Sequence, residues 1–302
     1  MTILITGATG LIGRALTNSL LDDRESIRVL TRDPAKADAV FGGRVEALAW
    51  QPATDPRPPA ALDGVDTIFH LMGEPVGGRW TAAKVERLIQ SRAVSAGKLA
   101  DAVRGRRCRF ISASSFGIYR GRRGEVYEET TPLGAPQTQV QTILQAWEKA
   151  VASAEAPETR VNMVRFGMVC STEGYPRKLI RLFRKGAGFI AGDGEQTVPI
   201  VDIDDAVGML RWIASGQAGD GPVNCVAPDL PNFRDVAQAI SQRLGKPVRL
   251  RIPDWLARPI LGGSADYFLL SYDMRPRKAL DRGYNFRHSD PHLILQRAIP
   301  GV

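Results

Sequence analysis

The chain has 302 residues, 44% of them hydrophobic and 24% charged, with a formal net charge of +8. This balance predicts one large or two unequal folded domains and excludes a disordered or repeat protein. Apolar runs fall short of the roughly 20 residues that cross a bilayer, and residues 3–5 lack the basic flank of a signal peptide, so we expect a soluble, cytoplasmic protein without a membrane partner.

Short apolar runs alternate with helical stretches in the first half of the chain, which is the pattern of βαβ units. Strands are predicted at residues 3–6, 27–31, 45–50, 67–71, 109–112 and 161–166. Helices are predicted at residues 11–21, 84–103, with one break, and 139–154. Strands joined by crossover helices predict an α/β fold with a doubly wound parallel Rossmann sheet.

This alternation weakens after residue 170, where glycines and prolines indicate loops. Strands are still predicted at residues 198–201 and 222–226, and helices at residues 202–215 and 233–244. We therefore expect a Rossmann domain over residues 1–170 and a smaller C-terminal α/β lobe for substrate or partner over residues 171–302. Residues 200–226 are expected to return to the first domain.

A glycine-rich loop follows the first strand and opens the first helix. Gly7, Gly10 and Gly13 have the spacing of a dinucleotide-binding fingerprint. The first glycine permits the tight turn, the second lets the backbone approach the pyrophosphate, and the third lets the helix pack close to the sheet. Unpaired N–H groups at the helix N-terminus would face the phosphates.

The end of the second strand bears on the choice of cofactor. NAD-specific folds place an acid there on the ribose 2′-hydroxyl. Thr31 and Arg32 stand there instead and can hold a 2′-phosphate, which favours NADP(H); Asp33, one residue later, leaves NAD(H) as the alternative. The predicted cofactor-binding residues are Gly7, Thr9, Gly10, Leu11, Ile12, Gly13, Thr31, Arg32, Leu71, Met72 and Gly73.

Further motifs carry a resemblance to a known family. The loop, together with Ser112-Ala113-Ser114-Ser115-Phe116-Gly117-Ile118-Tyr119, resembles the extended short-chain dehydrogenase/reductases, which include nucleotide-sugar epimerases and dehydratases. Over nearly the whole chain it resembles their atypical epimerase-family subgroup, which has its own C-terminal domain. The segments that carry this narrower resemblance include Gly73-Glu74-Pro75, Arg165-Phe166-Gly167-Met168-Val169, Gly192-Asp193-Gly194-Glu195-Gln196 and Gly283-Tyr284-Asn285-Phe286.

The resemblance implies a Tyr and a Lys four residues apart, with the phenol as general acid/base and the ammonium lowering its pKa. No tyrosine of this sequence has a lysine at the fourth position after it. The corresponding positions fall on about Val140 and Leu144, while Glu148 keeps its place. The usual acid/base pair is therefore absent, as it is in the narrower subgroup.

Three residues are candidates for catalysis. Ser115, with Ser114 as the alternative, ends the fifth predicted strand, where a hydroxyl can bond a substrate oxygen or cap the backbone. Glu74 follows the fourth strand and is either a substitute base or a surface carboxylate. Tyr119 is either a substitute acid or a packed aromatic side chain.

Other side chains have a less specific interpretation. Arg79, Arg92 and Arg165 can clamp a phosphate or carboxylate, or form ordinary ion pairs. Trp80 and Trp147 are interpreted as core or interface residues. Basic clusters at residues 104–109 and 120–123 lack interleaved aromatics and a known module, so they indicate a solvated surface or attraction of phosphorylated ligands rather than nucleic acid.

Cysteine and histidine usage predicts no metal site. Three cysteines and three histidines are scattered singly, and we expect the cysteines to be buried thiols. His288 and His292 could share a helix face, but Pro291 between them indicates a loop or a helix start.

Two functions from different classes follow. The first is an NADP(H)-dependent epimerase or oxidoreductase that acts on a small polar substrate at the lobe interface, with a nucleotide sugar as one option. The second is a non-catalytic, NADP(H)-gated binding or scaffold protein, for example in cell division. The missing Tyr and Lys favour the second, whereas the arginines near the sheet edge favour the first. The sequence leaves the substrate and the oligomeric state open.

Overall fold

A computed structural model describes residues 2–56, 59–261 and 265–300. The strands are β1 Thr2–Thr6, β2 Ser26–Thr31, β3 Glu46–Ala49, β4 Val65–His70, β5 Cys108–Ser115, β6 Val126–Tyr127, β7 Thr159–Phe166, β8 Met168–Cys170, β9 Phe189–Ala191, β10 Ile200–Asp202, β11 Gly221–Cys225, β12 Leu250–Ile252 and β13 Asp273–Met274. The helices are α1 Leu11–Asp22, α2 Pro34–Phe41, α3 Ala82–Ile89, α4 Ser95–Val103, α5 Gln139–Ala152, α6 Arg177–Arg184, α7 Ile203–Ala214, α8 Phe233–Leu244, α9 Asp254–Leu261, α10 Asp266–Leu269, α11 Arg277–Asp281 and α12 Pro291–Ala298.

Seven parallel strands form the central sheet in the order β11-β7-β5-β4-β1-β2-β3. Consecutive residues such as Leu4 and Ile5 are fully buried, because helices cover both faces of the sheet. The chain runs outward from β1 to β3 and then returns to β4 beside β1, which creates a topological switch point. The predicted doubly wound Rossmann sheet is confirmed.

The predicted helix with one break consists of two helices. Thr81 begins α3 by accepting the N–H of Lys84, and a π-helical segment, Gln90–Val94, joins α3 to α4. Such segments are rare and re-aim the side chains that they carry. This one holds Arg92 near the end of β4, which matters for the site described below.

Residues after 170 contribute to both parts of the molecule. β11 extends the central sheet by pairing with β7, and α7 lies against α1, where Arg211 donates hydrogen bonds to Ser19. The other C-terminal elements form their own apolar core, in which Phe183 of α6 and Phe233 of α8 are buried. This C-terminal part lies beside the carboxyl edge of the sheet and forms one wall of a cleft.

The burial of the cysteines and the length of the helices bear on two further predictions. Cys108, Cys170 and Cys225 are free and buried, as predicted. Among the described residues, no helix is both long and apolar enough to cross a bilayer.

Candidate cofactor and substrate cleft

One cleft of about 1270 Å³ opens at the carboxyl edge of the sheet, between the first domain and the C-terminal elements. Its lining combines glycines, aromatic and aliphatic side chains, and several cations. Residues that line it include Gly7, Gly10, Leu71, Met72, Arg79, Arg92, Ser115, Leu144, Trp147, Lys178, Phe189 and Tyr267. A cleft at this switch point is where doubly wound sheets bind their ligands.

The loop between β1 and α1 can be built only with glycine at two positions. Gly7 has φ +73°, and a Cβ there would lie 2.7 Å from the carbonyl carbon of Leu71 and from the nitrogen of Met72. A Cβ on Gly13 would collide with the carbonyl oxygen of Gly7. These contacts hold the loop close to the end of β4 and α1 close to β1, as the sequence motif predicts.

Helix α1 opens towards the cleft without a side-chain cap. Gly10 is its N-cap and offers no side-chain hydrogen bond, and the first turn carries no acid. Its first N–H groups and the positive end of the helix dipole therefore remain available to an anion. Gly10, Leu11, Ile12 and Gly13 all line the cleft, so this end of the cleft fits a pyrophosphate.

The other predicted cofactor residues divide into two groups. Leu71, Met72 and Gly73 line the cleft directly after β4. Thr9, Thr31 and Arg32 are not among the lining residues, and the last two stand at the end of β2, the strand next to β1.

The residues after β2 have separate roles. Asp33 caps α2, because its carboxylate accepts the N–H of Lys36 at 2.9 Å. The backbone N–H of Asp33 is bonded to the hydroxyl of Thr31 at 3.2 Å. Arg32 and Asp33 are both exposed. The guanidinium of Arg32 is thus accessible at this edge, while the neighbouring carboxylate, although also exposed, is engaged by the backbone.

Among the predicted catalytic residues, Ser115 and its alternative Ser114 line the cleft, whereas Glu74 and Tyr119 do not. The hydroxyl of Ser114 is engaged by Glu148, which leaves Ser115 as the candidate. It ends β5 as the N-cap of a short 3₁₀ turn, and its hydroxyl accepts the N–H of Gly117 at 3.5 Å. Its hydroxyl also lies near the phenol of Tyr267 and acts to lower the pKa of that phenol. The structure therefore brings a serine hydroxyl and a tyrosine hydroxyl together at the cofactor end of the cleft.

Glu74 does not line the cleft, which differs from its predicted role as a substitute base. Its carboxylate accepts from Lys84 at 2.9 Å and lies 3.4 Å from the Nε of Arg87. The hydrogen bond from Lys84 is the main cause that lowers the pKa of Glu74. A carboxylate held by two cations is a weak base, so its geometry favours anchoring α3 over proton transfer.

Tyr119 is also placed away from the cleft, in contrast to its predicted role as an acid. It is 1% exposed, and its hydroxyl bonds Asn224, the backbone carbonyl of Glu128 and Arg165. Burial raises the pKa of Tyr119 to about 12. Its environment favours a packed aromatic side chain in a hydrogen-bond network.

Arg165, a predicted anion clamp, belongs to the same network. Its Nε and Nη2 donate to the two carboxylate oxygens of Glu148 at 2.9 and 2.8 Å, and Ser114 donates to the same carboxylate at 2.7 Å. The charge and hydrogen bonds of Glu148 overcome the effect of burial and raise the pKa of Arg165. This guanidinium is fully engaged by protein groups and cannot serve the cleft.

Arg79 and Arg92 both line the cleft. Arg92 donates to the backbone carbonyl of Glu74 at 2.9 Å, and its guanidinium lies 5.4 Å from the ring centroid of Trp147. Trp147 is 4% exposed and forms part of both the core and the cleft wall. Trp80 donates its indole N–H to the carbonyl of Val76.

The positions that correspond to the missing Tyr and Lys are aliphatic and buried. Val140 contacts the backbone at Gly117, and Leu144 lines the cleft. Neither can exchange a proton. Any acid/base chemistry in the cleft must therefore come from another segment of the chain.

Sequence reasoning missed the C-terminal residues of the cleft. Helix α6 presents Arg177, Lys178 and Arg181 to it, while Phe183 is buried on the other side of the helix. The helical spacing of basic and apolar residues is visible in the sequence and could have revealed this. Tyr267 stands in no motif, and no signal in the sequence points to it.

One group of acids and a histidine has the arrangement of metal ligands. Asp202, Asp204 and His288 offer atoms within 4.8 Å of one another. Arg297 donates to both carboxylates, at 3.0 and 2.7 Å. A guanidinium thus already bonds both carboxylates, and we assign no metal to the cluster. His292 lies in the first turn of α12, which Pro291 opens, as its sequence position indicates.

The glycine loop, the open helix N-terminus and the cleft at the switch point define a nucleotide-binding protein of the Rossmann class. Residues 3–225 match the NAD dependent epimerase/dehydratase family, and the chain belongs to this family. The resemblance inferred from the motifs is confirmed at this level.

Similar proteins extend over almost the whole chain. An epimerase family protein of Mycobacterium leprae is 30% identical over 292 residues, which cover 95% of this chain and 92% of the relative. The crystal structure of human epimerase family protein SDR39U1 (isoform 2) with NADPH has a TM-score of 0.82 and 23% identity, and the match covers 99% of both chains. MoeE5 in complex with UDP-glucose and NAD has a TM-score of 0.78 and 22% identity over 99% of this chain and 97% of that one. These structures share the fold.

Proposed function

We propose that the protein is an NADP(H)-dependent oxidoreductase or epimerase whose small, anionic substrate binds in the cleft. The observation that carries this proposal is the continuity of the cleft from the α1 N-terminus to Ser115 and the C-terminal cations. Residues Gly10 to Gly13 would hold the pyrophosphate, and Leu71 to Gly73 would lie along the cofactor. When bound, the cofactor supplies hydride transfer, and the protein supplies position and charge.

The charges of the cleft support an anionic substrate. Arg79, Lys178 and Arg181 are exposed side chains on its rim, and Glu173, an acid among the lining residues, is paired with Arg14 at 2.6 Å. Guanidinium groups hold phosphate or carboxylate oxygens in planar, charge-assisted pairs. Nucleotide sugars satisfy this requirement, and MoeE5, which shares the fold, is in complex with one.

The choice of NADP(H) over NAD(H) depends on Arg32. Because Asp33 is engaged as the cap of α2, it is a poor receptor for a ribose 2′-hydroxyl. The exposed guanidinium of Arg32 is suited to a 2′-phosphate. The human protein with the same fold was crystallised with NADPH, which agrees with this assignment.

Substitution of Arg32 tests the cofactor assignment. Arg32→Ala should weaken NADPH by about tenfold to a hundredfold and leave NADH nearly unchanged, because one hydrogen bond to a charged group is worth about 1.5 to 3 kcal/mol. Both cofactors would be titrated by tryptophan fluorescence. Arg44→Ala, which removes the same charge just beyond the other end of α2, is the matched control. Equal affinities for NADH and NADPH before mutation would contradict the assignment.

A second candidate is a non-catalytic, NADP(H)-gated binding or scaffold protein. The observation that favours it is the aliphatic pair Val140 and Leu144 at the usual acid/base positions. Consumption of NADPH with an aromatic aldehyde or a quinone, or reduction of NADP⁺ with UDP-glucose or UDP-glucuronate, would support the enzyme. Tight NADPH binding without hydride transfer to or from any of these compounds would support the scaffold.

A further inference from the structure

A tyrosine from the C-terminal segment reaches the cofactor end of the cleft. Tyr267 lies in α10 and lines the cleft together with Ser115 and Arg92. Its ring packs edge-on against Phe116, with 5.1 Å between centroids and an interplanar angle of 80°. The position of the ring is therefore set by aromatic packing, while its hydroxyl reaches Ser115.

The ring occupies space that a glycine leaves open. A Cβ on Gly117 would lie 2.7 Å from the Cε1 of Tyr267 and 2.9 Å from a methyl carbon of Val140. The phenol thus lies beside the same backbone position that Val140 contacts. The hydroxyl of Tyr267 is thus a proton-bearing group beside Val140, a position of α5 whose own side chain is aliphatic.

Two neighbours suit Tyr267 to proton transfer. The Ser115 hydroxyl and the positive charge of Arg92 both act to lower the pKa of the phenol. Burial still raises the pKa of Tyr267 above its usual value, with Asp266 adding to the increase, although Asp266 is itself paired with Arg258 at 2.9 Å. The phenol is therefore protonated at neutral pH, and Arg92 would stabilise the phenolate once the proton has left.

Tyr175 is the other described tyrosine that lines the cleft. Within the described part of the chain its buried hydroxyl has no hydrogen-bond partner, and burial raises its pKa far above the usual value. It lacks the hydroxyl and the cation that flank Tyr267. Of the two, Tyr267 has the surroundings of a proton donor.

We propose that Tyr267, positioned by Ser115 and assisted by Arg92, donates the proton to the substrate oxygen when a carbonyl group is reduced in the cleft. This inference rests on the proposed function. The carbonyl carbon accepts the hydride of NADPH, the C–O π pair moves to oxygen, and a new O–H bond forms with the proton of the Tyr267 hydroxyl. NADPH is oxidised to NADP⁺, the carbonyl is reduced to an alcohol, and water reprotonates the phenolate.

The test compares Tyr267→Phe and Ser115→Ala with the unmodified protein, using the aromatic aldehyde or the quinone, whichever the unmodified protein reduces. Tyr267→Phe should lower the rate of NADPH oxidation in a single turnover by at least about a hundredfold, as expected for loss of a general acid. Ser115→Ala should have a smaller effect in the same direction. Affinity for NADPH should change by less than about twofold in both variants, because the phenol acts on the substrate.

Tyr272→Phe is the matched control. This tyrosine also packs against Phe116, at 4.8 Å between centroids, is 2% exposed and belongs to the same C-terminal segment. It is not among the residues that line the cleft, so its variant should keep the unmodified rate.

The pH profile separates proton donation from a structural role. Reduction by the unmodified protein should stay constant between about pH 6 and about pH 9 and fall at higher pH as the phenol loses its proton. The fall should be missing in Tyr267→Phe. Equal rates in Tyr267→Phe and the unmodified protein would overturn this inference and leave the proposed function intact. If the unmodified protein binds NADPH but neither reduces the aldehyde or the quinone nor oxidises a nucleotide sugar with NADP⁺, both fail.

Discussion

Consecutive serines of β5 belong to two clusters that share their chemistry and differ in burial. The buried cluster consists of Ser114, Tyr119, Glu148 and Arg165, and the cleft cluster consists of Ser115, Tyr267 and Arg92. Successive side chains of a strand point to opposite faces, so one residue step separates the two environments.

The clusters differ in what neutralises the arginine. In the buried cluster the carboxylate of Glu148 binds the guanidinium through two hydrogen bonds. In the cleft cluster Arg92 donates to a backbone carbonyl and keeps its charge directed at Tyr267. A serine, a tyrosine and an arginine therefore stabilise the fold when a buried carboxylate completes the set, and they remain available for chemistry when a cleft reaches them.

The largest expected effect breaks the buried cluster. Arg165→Met should lower the free energy of unfolding by about 3 to 5 kcal/mol, because it leaves the buried carboxylate of Glu148 without its partner. Chemical denaturation would measure this loss. Arg160→Met is the control on the same strand, since Arg160 forms an exposed pair with Asp220 that is worth less than about 1 kcal/mol.

The double variant Arg165→Met, Glu148→Leu sharpens this test. Removal of both charges should recover much of the stability, because a buried ion pair can often be replaced by apolar side chains of similar volume. If Arg165→Met lowers the free energy of unfolding no more than Arg160→Met does, the buried cluster does not hold the sheet and α5 together.

An intermediate effect distinguishes the two tyrosines. Tyr119→Phe should cost about 1 to 3 kcal/mol of stability, because Asn224 and Arg165 lose a buried hydrogen-bond partner. Because the hydroxyl of Tyr267 lies at the cleft, Tyr267→Phe should cost less than about 1.5 kcal/mol of stability. Thermal and denaturant unfolding of both variants would be compared with their NADPH turnover. A selective loss of turnover in Tyr119→Phe would reverse the roles assigned to the two clusters.

The smallest effect concerns Glu74, beside the cleft cluster. Its pKa is lowered chiefly by Lys84, so its contribution to stability is complete above the usual glutamate pKa and is lost as pH falls through the lowered value. Glu74→Gln should therefore cost about 0.2 to 1 kcal/mol at neutral pH, and the difference should disappear once the pH falls below the lowered pKa of Glu74. Urea unfolding from about pH 3 to pH 7 would show this, with exposed Glu158→Gln as control. Loss of turnover at unchanged stability would restore Glu74 as a candidate base.

The sequence by itself determined the framework and one end of the site. The alternation of strands and helices predicted the Rossmann sheet, and the spacing of Gly7, Gly10 and Gly13 predicted the loop that the structure shows. The absence of a Tyr and Lys pair was equally visible. These features are local, since a strand, a tight turn and a helix start within a dozen residues are set by neighbours along the chain.

Only the tertiary structure decided which candidate side chains face the cleft. Glu74 and Tyr119 have suitable positions after their strands, but Lys84 binds the first, and Asn224 and Arg165 bind the second. Tyr267, which no motif marks, arrives beside Ser115 from a distant segment. The pKa and exposure of a side chain depend on which charges and apolar groups cover it, and those come from parts of the chain that only folding brings together.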